Sequence, residues 1–113
     1  MPKSKKLRLS GPAIKDLGRI GEYTGREWGA AQKRKYLGLI KAGLKAIRAT
    51  PGLGAPRDDI GKGRRAHPVR KHLIYYRETK TGLVIVRVLH ENMDPGRHLS
   101  AGSGGDSGQE GRK

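Results

Sequence analysis

The chain opens its ordered pattern with Lys6–Leu9, Lys-Leu-Arg-Leu, an alternation of polar and apolar positions that predicts a short strand. Ser10 or Gly11 can then cap a helix, and Pro12 suits its first turn, where a missing N–H costs nothing. Ile14, Leu17, Ile20, Thr24 and Trp28 follow at helical spacing, with Lys15, Arg19, Glu22 and Arg26 on the other side. The pattern predicts an amphipathic helix over 12–27, broken at Gly29. A second helix is expected over 30–48, with Leu37, Ile40, Leu44 and Ile47 as its apolar stripe and Tyr36 at the margin. So short a break makes the pair an antiparallel hairpin. Gly21 falls on the apolar side, where it lets the helices approach; the pattern gives no reason for Gly18, Gly38 or Gly43.

Residues 50–64, rich in Gly, Pro and Asp, read as a loop, in which Asp58 and Asp59 cap and turn the chain. Three strands are expected after it. The first, 65–69, contains Pro68, which cannot donate to a ladder, so it belongs at an edge. The second, 72–78, and the third, 83–90, flank Thr-Lys-Thr-Gly, a turn of hairpin length. The third is apolar at nearly every position, which predicts a central place with both faces covered. The order is β-α-α-β-β-β, an α+β fold with a helical hairpin on a small, mainly antiparallel sheet. Residues 6–99 make one domain. Residues 1–5 and the Gly/Ser-rich 100–113 carry too little apolar surface to offset their ordering entropy and are expected to be disordered.

Composition sharpens this. The chain has 113 residues, no Cys and no Phe, so a thiol nucleophile, a disulfide framework and a Cys-based metal site are all excluded. No apolar run has the length of a membrane span, and the basic N-terminus is followed by no secretory apolar stretch. The formal net charge of +15 gives the body a positive field that attracts polyanions, whether nucleic acid or an acidic protein. The glycines of Gly52–Gly54 and Gly61–Gly63 are not a P-loop, since no Gly-Lys-Ser/Thr opens a helix after a strand. His67 and His72 have no Cys or Glu beside them at ligand spacing, so no metal site is expected.

Three segments, in this order, carry a resemblance. They are LRLSGPAIKDLGRIGEYTGREWG from Leu7, PGLGAPRDDIGKGRRAHPVRKHLIYYR from Pro51, and VRVLHENMDPGRHL from Val86. Together they resemble the ParE branch of the ParE/RelE toxin superfamily over about residues 6–99. The extra residue in Ser-Gly-Pro-Ala and the Gly-rich tail depart from that family's pattern. The resemblance implies a cytoplasmic toxin of a type II toxin–antitoxin module, acting without a cofactor. Its partner would be a ParD-like antitoxin with a DNA-binding N-terminal part and an acidic C-terminal part that wraps the toxin, so contact with DNA would be indirect. ParE-type toxins inhibit DNA gyrase; RelE-type relatives cut mRNA on the ribosome.

Two sets of residues become candidates. No acidic residue occurs between Ala30 and Arg57, and Arg34, Lys41, Lys45 and Arg48 share a stripe beside Leu37 and Leu44. An apolar groove with a positive border suits an acidic amphipathic segment, and these six residues are the expected antitoxin site. The strands are crowded with Arg64, Arg65, His67, Arg70, Lys71, His72, Arg77, Arg87 and His90. Of these, Arg65, Arg77, Arg87 and His90, with Met93 and Arg97 in the C-terminal stretch, are the expected target-binding set. Arg87 is expected on the sheet face away from the helices, with Met93 and Leu99 packing back. A ribonuclease would need a general base, a general acid and cations on the phosphate, for which Arg77, Arg87 and His90 are the candidates and His67 and His72 could also serve. A third reading is a plain basic nucleic-acid-binding module.

Overall fold

The computed structural model describes residues 6–99; the expected disorder of 1–5 and 100–113 lies outside them. The elements are β1 (Lys6–Leu9), α1 (Gly11–Trp28), α2 (Ala30–Ala49), β2 (Ala55–Pro56), a 3-10 turn (Asp58–Ile60), β3 (Arg64–Val69), β4 (His72–Glu78), β5 (Gly82–His90) and α3 (Pro95–Leu99). The sheet has five strands in the order β1-β5-β4-β3-β2. Only β1 with β5 is a parallel pair; the rest are antiparallel. The α+β hairpin-on-sheet architecture expected from the pattern is the one observed. β2, the 3-10 turn and α3 are additions.

Ser10 caps α1, its hydroxyl oxygen accepting from Ala13 N–H at 3.1 Å, with Pro12 in the first turn. Gly29, at φ 93°, makes the break between the helices. Against the sheet, the hairpin buries Ala13, Ile20, Ile40 and Ile47 over Ile74, Tyr76, Leu83, Ile85 and Val88. The opposite face carries a second, smaller cluster of Ile60, Ala66, Tyr75, Val84, Val86, Leu89 and Leu99, roofed only by the 3-10 turn and α3. Leu99 packs back as expected; Met93 does not, and is 40% exposed. Pro68 lies in β3 beyond Arg65 and Ala66, the two positions that β2 covers, so no ladder partner on that side needs its missing N–H.

The phase of α1 differs from the sequence pattern. Its buried face is Ala13, Asp16, Ile20, Gly21 and Thr24, while Ile14 is 57% and Trp28 70% exposed. Following the bulkiest apolar residues rotates the helix by about one residue, or about 100°. Gly21 does sit in the helix–helix contact, where a Cβ would stand 3.2 Å from Leu37 Cδ1. Gly43 gains an explanation: a Cβ there would come within 2.7 Å of Val69 Cγ2, so α2 needs glycine to lie flat on β3 and β4. The Gly/Pro-rich loop is pinned rather than loose. The buried Tyr76 hydroxyl donates to Pro51 O and accepts from Gly54 N–H, both at 2.7 Å.

Candidate functional site

The six residues named on α2 share one stripe of that helix. Arg34, Lys41, Lys45 and Arg48 are exposed, and Leu37 and Leu44 are half-buried beside them. Both leucines also pack on the hairpin-side core. The two apolar positions are held by burial and the four cations by their absence from the buried stripe of Ile40, Gly43 and Ile47.

The six residues of the expected target set are not gathered into one patch. Arg65 pairs with Tyr76, so it emerges on the hairpin side, and its Nη1 donates to Gly54 O at 2.6 Å. Arg77 pairs with Arg64 across the ladder and is half-buried. Met93 and Arg97 are exposed in the C-terminal segment.

Arg87 has the register expected of it and adds a contact that the sequence did not predict. A bulge leaves Val86 unpaired, with Tyr76 opposite Ile85 and Tyr75 opposite Arg87. The register of Arg87 belongs to the face away from the helices, and Nη1 donates there to His98 O of α3 at 3.4 Å, but the guanidinium also reaches round the edge of β5. Nε and Nη2 both donate at 2.8 Å to the two carboxylate oxygens of Asp16 on α1. The cause is the shortness of β1, which pairs only Gly82–Ile85. Past that point α1 takes over the edge of β5. Ser10 N–H donates to Ile85 O at 3.0 Å, Ser10 Oγ–H to Val86 O at 2.8 Å, and Val88 N–H to Asp16 Oδ2 at 2.9 Å. Asp16 therefore satisfies a guanidinium and a backbone donor at once. Sequence reasoning missed it because its partners are more than 70 positions away; the one signal was an acid at helical spacing between Ala13 and Ile20.

The histidines are also engaged. His72 and His90 face each other across the β4–β5 ladder with ring centroids 5.3 Å apart, edge to face. His72 Nδ1 lies 2.6 Å from the Tyr36 hydroxyl, whose oxygen already accepts from Lys71 N–H. Which of the two groups donates depends on the tautomer of the ring. Burial pushes its pKa below the usual 6.5, and the neighbouring His90 pushes the same way. His90 Nδ1 accepts from Asn92 N–H at 3.0 Å. A general base needs an available ring nitrogen and a phosphate needs available cations. Here Arg87, His72 and His90 each hold a structural contact. His67 is half-buried on β3, opposite Ile74.

Asp58 and Asp59 turn their loop as expected. Asp58 Oδ1 accepts from Gly63 N–H at 2.8 Å. Asp59 takes Arg57 Nε and Nη2, both at 2.9 Å, and this pairing holds its carboxyl below the usual range. Among the described residues, no group of three or more His, Asp or Glu stands close enough together to hold a metal ion, and no helix is long and apolar enough to cross a membrane.

The architecture defines a class. It matches a solved structure titled "Chromosomal ParDE TA system from P. aeruginosa" with a TM-score of 0.68 at 19% identity, covering 77% of this chain and 96% of that one. The likeness shows a shared α+β fold. The sequence comparisons narrow it. The family model described as "ParE toxin of type II toxin-antitoxin system, parDE" matches residues 7–95. Toxin ParE1 of Caulobacter vibrioides is 34% identical over 95 residues, 84% of this chain and 98% of that protein. Toxin ParE1 of Mycobacterium tuberculosis (H37Rv) is 34% identical over 97 residues, 85% and 99% of the two chains. Toxin ParE of Escherichia coli is 33% identical over 88 residues, 76% and 84% of the two. The chain belongs to the ParE toxin family and is a toxin of a type II toxin–antitoxin system.

Proposed function

We propose that this toxin acts in the cytoplasm by inhibiting DNA gyrase, without catalysis of its own, and is silenced by a ParD-like antitoxin. The family match over residues 7–95 carries the reading. A toxin that blocks an enzyme–DNA complex has only to bind it, and a net charge of +15 speeds that encounter. The antitoxin's acidic segment lies along α2, its apolar side on Leu37 and Leu44 and its carboxylates against Arg34, Lys41, Lys45 and Arg48. Met93 and Arg97, exposed in the C-terminal segment, contact the target, with Arg87 and His90 holding the strand end that presents them; Arg65 and Arg77, toward the other end of the sheet, make a separate contact. The ribonuclease alternative has less support, since Asp16 and Tyr36 engage the groups it would use.

The experiment is a gyrase supercoiling assay run beside a cell-free translation reaction probed for mRNA cuts. Arrested supercoiling or accumulated cleaved DNA, with intact mRNA, is the expected result. Cut mRNA with normal supercoiling overturns the reading. A K41E/K45E double variant should fold normally and associate with an acidic antitoxin segment at least tenfold more slowly at low salt. An unchanged association rate would move the docking surface off α2.

A further inference from the structure

The helical hairpin is longer than the sheet it lies on. α1 runs beside β5 in the same direction: Ser10 N–H donates to Ile85 O at 3.0 Å, and Asp16 Oδ2 accepts from Val88 N–H at 2.9 Å. Beyond Val88, β5 has only Leu89 and His90 left, about 7 Å. Beyond Asp16, α1 runs on to Trp28, about 18 Å. Ile20 is the last residue of α1 in the hairpin-side core. α2 meets the sheet again at Tyr36, whose hydroxyl accepts from Lys71 N–H at 3.3 Å. Between these points the hairpin overhangs the sheet by about two turns of helix, and every residue from 26 to 35 is exposed.

Trp28 stands in that overhang. It is the chain's single tryptophan and, at 70%, the most exposed large apolar side chain among the described residues. It follows the buried Thr24 by one turn, so it continues the inward side of α1 past the end of the sheet that would cover it. The residues after it are Gly29, Ala30 and Ala31, too small to wall the ring in. Lys33 follows on α2, and Arg70 and Lys71 form the β3–β4 turn at the same end of the sheet; all three are exposed. Burial raises the pKa of the Tyr36 hydroxyl, and Lys71 N–H and the charge of Arg70 oppose that rise, which puts Arg70 beside the root of the overhang. Arg70 holds φ at 54°, a conformation that glycine or asparagine adopts at less cost, so the turn itself gives no reason for an arginine there. The carboxylates of this end are Glu27 and Glu91, the second tied to the turn by its N–H donating to Lys71 O at 2.7 Å.

An apolar anchor of a protein partner is held in a pocket whose rim excludes water. A nucleic-acid base needs only an open aromatic face, with cations near its phosphates. The overhang offers the second combination. We propose that it binds single-stranded nucleic acid, a base stacking on the Trp28 indole and the adjoining phosphates lying against Lys33, Arg70 and Lys71. A base inside a duplex has both faces covered by its neighbours, so the surface selects unpaired strands. The net charge of +15 draws the polyanion in. This contact is direct rather than through an antitoxin, and it does not depend on gyrase being the target.

The test uses the full chain, whose lone tryptophan reports on the surface itself. Oligothymidylate of about twelve nucleotides is titrated while Trp28 emission is read, and a labelled copy is followed by anisotropy across a salt series. The variants are W28A, W28F, R70N/K71Q and, at the far end of the sheet, the control K80Q. Emission should be quenched with the same midpoint as the anisotropy change. Single-strand affinity should fall at least tenfold in W28A but less than threefold in W28F and less than twofold in K80Q. In R70N/K71Q the log–log salt slope should shrink by about 1.4, or about 0.7 for each lost phosphate contact. Duplex binding should be the same in W28A as in the wild type. Binding without quenching, and at equal strength in W28A, would put the strand elsewhere and overturn the proposal. A change in Trp28 emission with a polyglutamate peptide but not with the oligonucleotide would give the surface to an acidic protein and overturn it. Self-association of the wild type that W28A abolishes, with no response to the oligonucleotide, would give it to a second copy and overturn it too. If W28A does not fold, wild-type quenching and the salt slope of R70N/K71Q decide: both as expected support the proposal, and the absence of either overturns it.

Discussion

The two faces of the sheet solve burial differently. On the hairpin side a full layer of helix covers aliphatic side chains, and a charged pair at its border, Asp16 with Arg87, is matched in both oxygens. On the other side a 3-10 turn and a five-residue helix cover a smaller cluster, and Arg64 is buried there with one nitrogen unmatched. A complete layer leaves the chain free to bury apolar groups alone. An incomplete one buries what lies at its border, a charge included.

The comparison is broken most directly at Asp16. Asp16→Ala takes the carboxylate from a largely buried guanidinium and the acceptor from Val88 N–H, and should cost about 3–5 kcal/mol in chemical denaturation. The double variant D16A/R87M should be more stable than D16A, because removing the stranded charge is better than keeping it. A loss under about 1 kcal/mol in D16A would mean that the pair is surface-like, and the contrast between the faces would fail.

A smaller effect measures how tightly the covered face is packed. Gly43→Ala places a methyl 2.7 Å from Val69 Cγ2 and 3.2 Å from Ile74 Cδ1. Overpacking of about 1–3 kcal/mol should outweigh the gain of about 1 kcal/mol from alanine in a helix, so thermal stability should fall. Gly38→Ala, with nothing within 4 Å of its Cβ, should instead stabilise by up to about 1 kcal/mol. If both variants gain stability, α2 does not lie as close to β3 and β4 as described.

How much of this was legible in the sequence follows the same division. Strands β1 and β4 have the bounds that alternation and turn residues predict, and β3 and β5 differ by one residue at their starts. The α2 surface was readable because four cations and the two leucines obey one helical period. The phase of α1 was not, because small residues such as Ala13 and Gly21 face the core while Ile14 and Trp28 face solvent, so size misleads. Asp16 and Arg87 could not be paired from sequence, since their contact depends on where β1 stops. β2 spans two residues and α3 five, too few to establish a period. Arg64 stood among the sheet's many cations, and only its burial separates it from them.

The smallest effect lies where the two faces meet, at the end of β4. His72 is tied to α2 through Tyr36 and to β5 through His90. Burial first, and His90 second, hold its pKa below 6.5, while the carboxylates of Asp16 and Glu91 pull the other way without reversing the shift. In the unfolded chain the ring has its ordinary pKa of about 6.5 and takes a proton more readily than in the fold. Stability from this site is therefore complete above about pH 6.5, falls as pH drops below it, and stops falling once the folded ring is also protonated. Urea midpoints should decrease between pH 7.5 and 5.5. His72→Asn, which keeps a hydrogen-bonding group near the Nδ1 position, should flatten the part of that slope due to this residue while leaving the fold intact. A slope unchanged in H72N would place the titrating group elsewhere. The Tyr36 contact would then be an ordinary hydrogen bond with no pH dependence between the hairpin and the sheet.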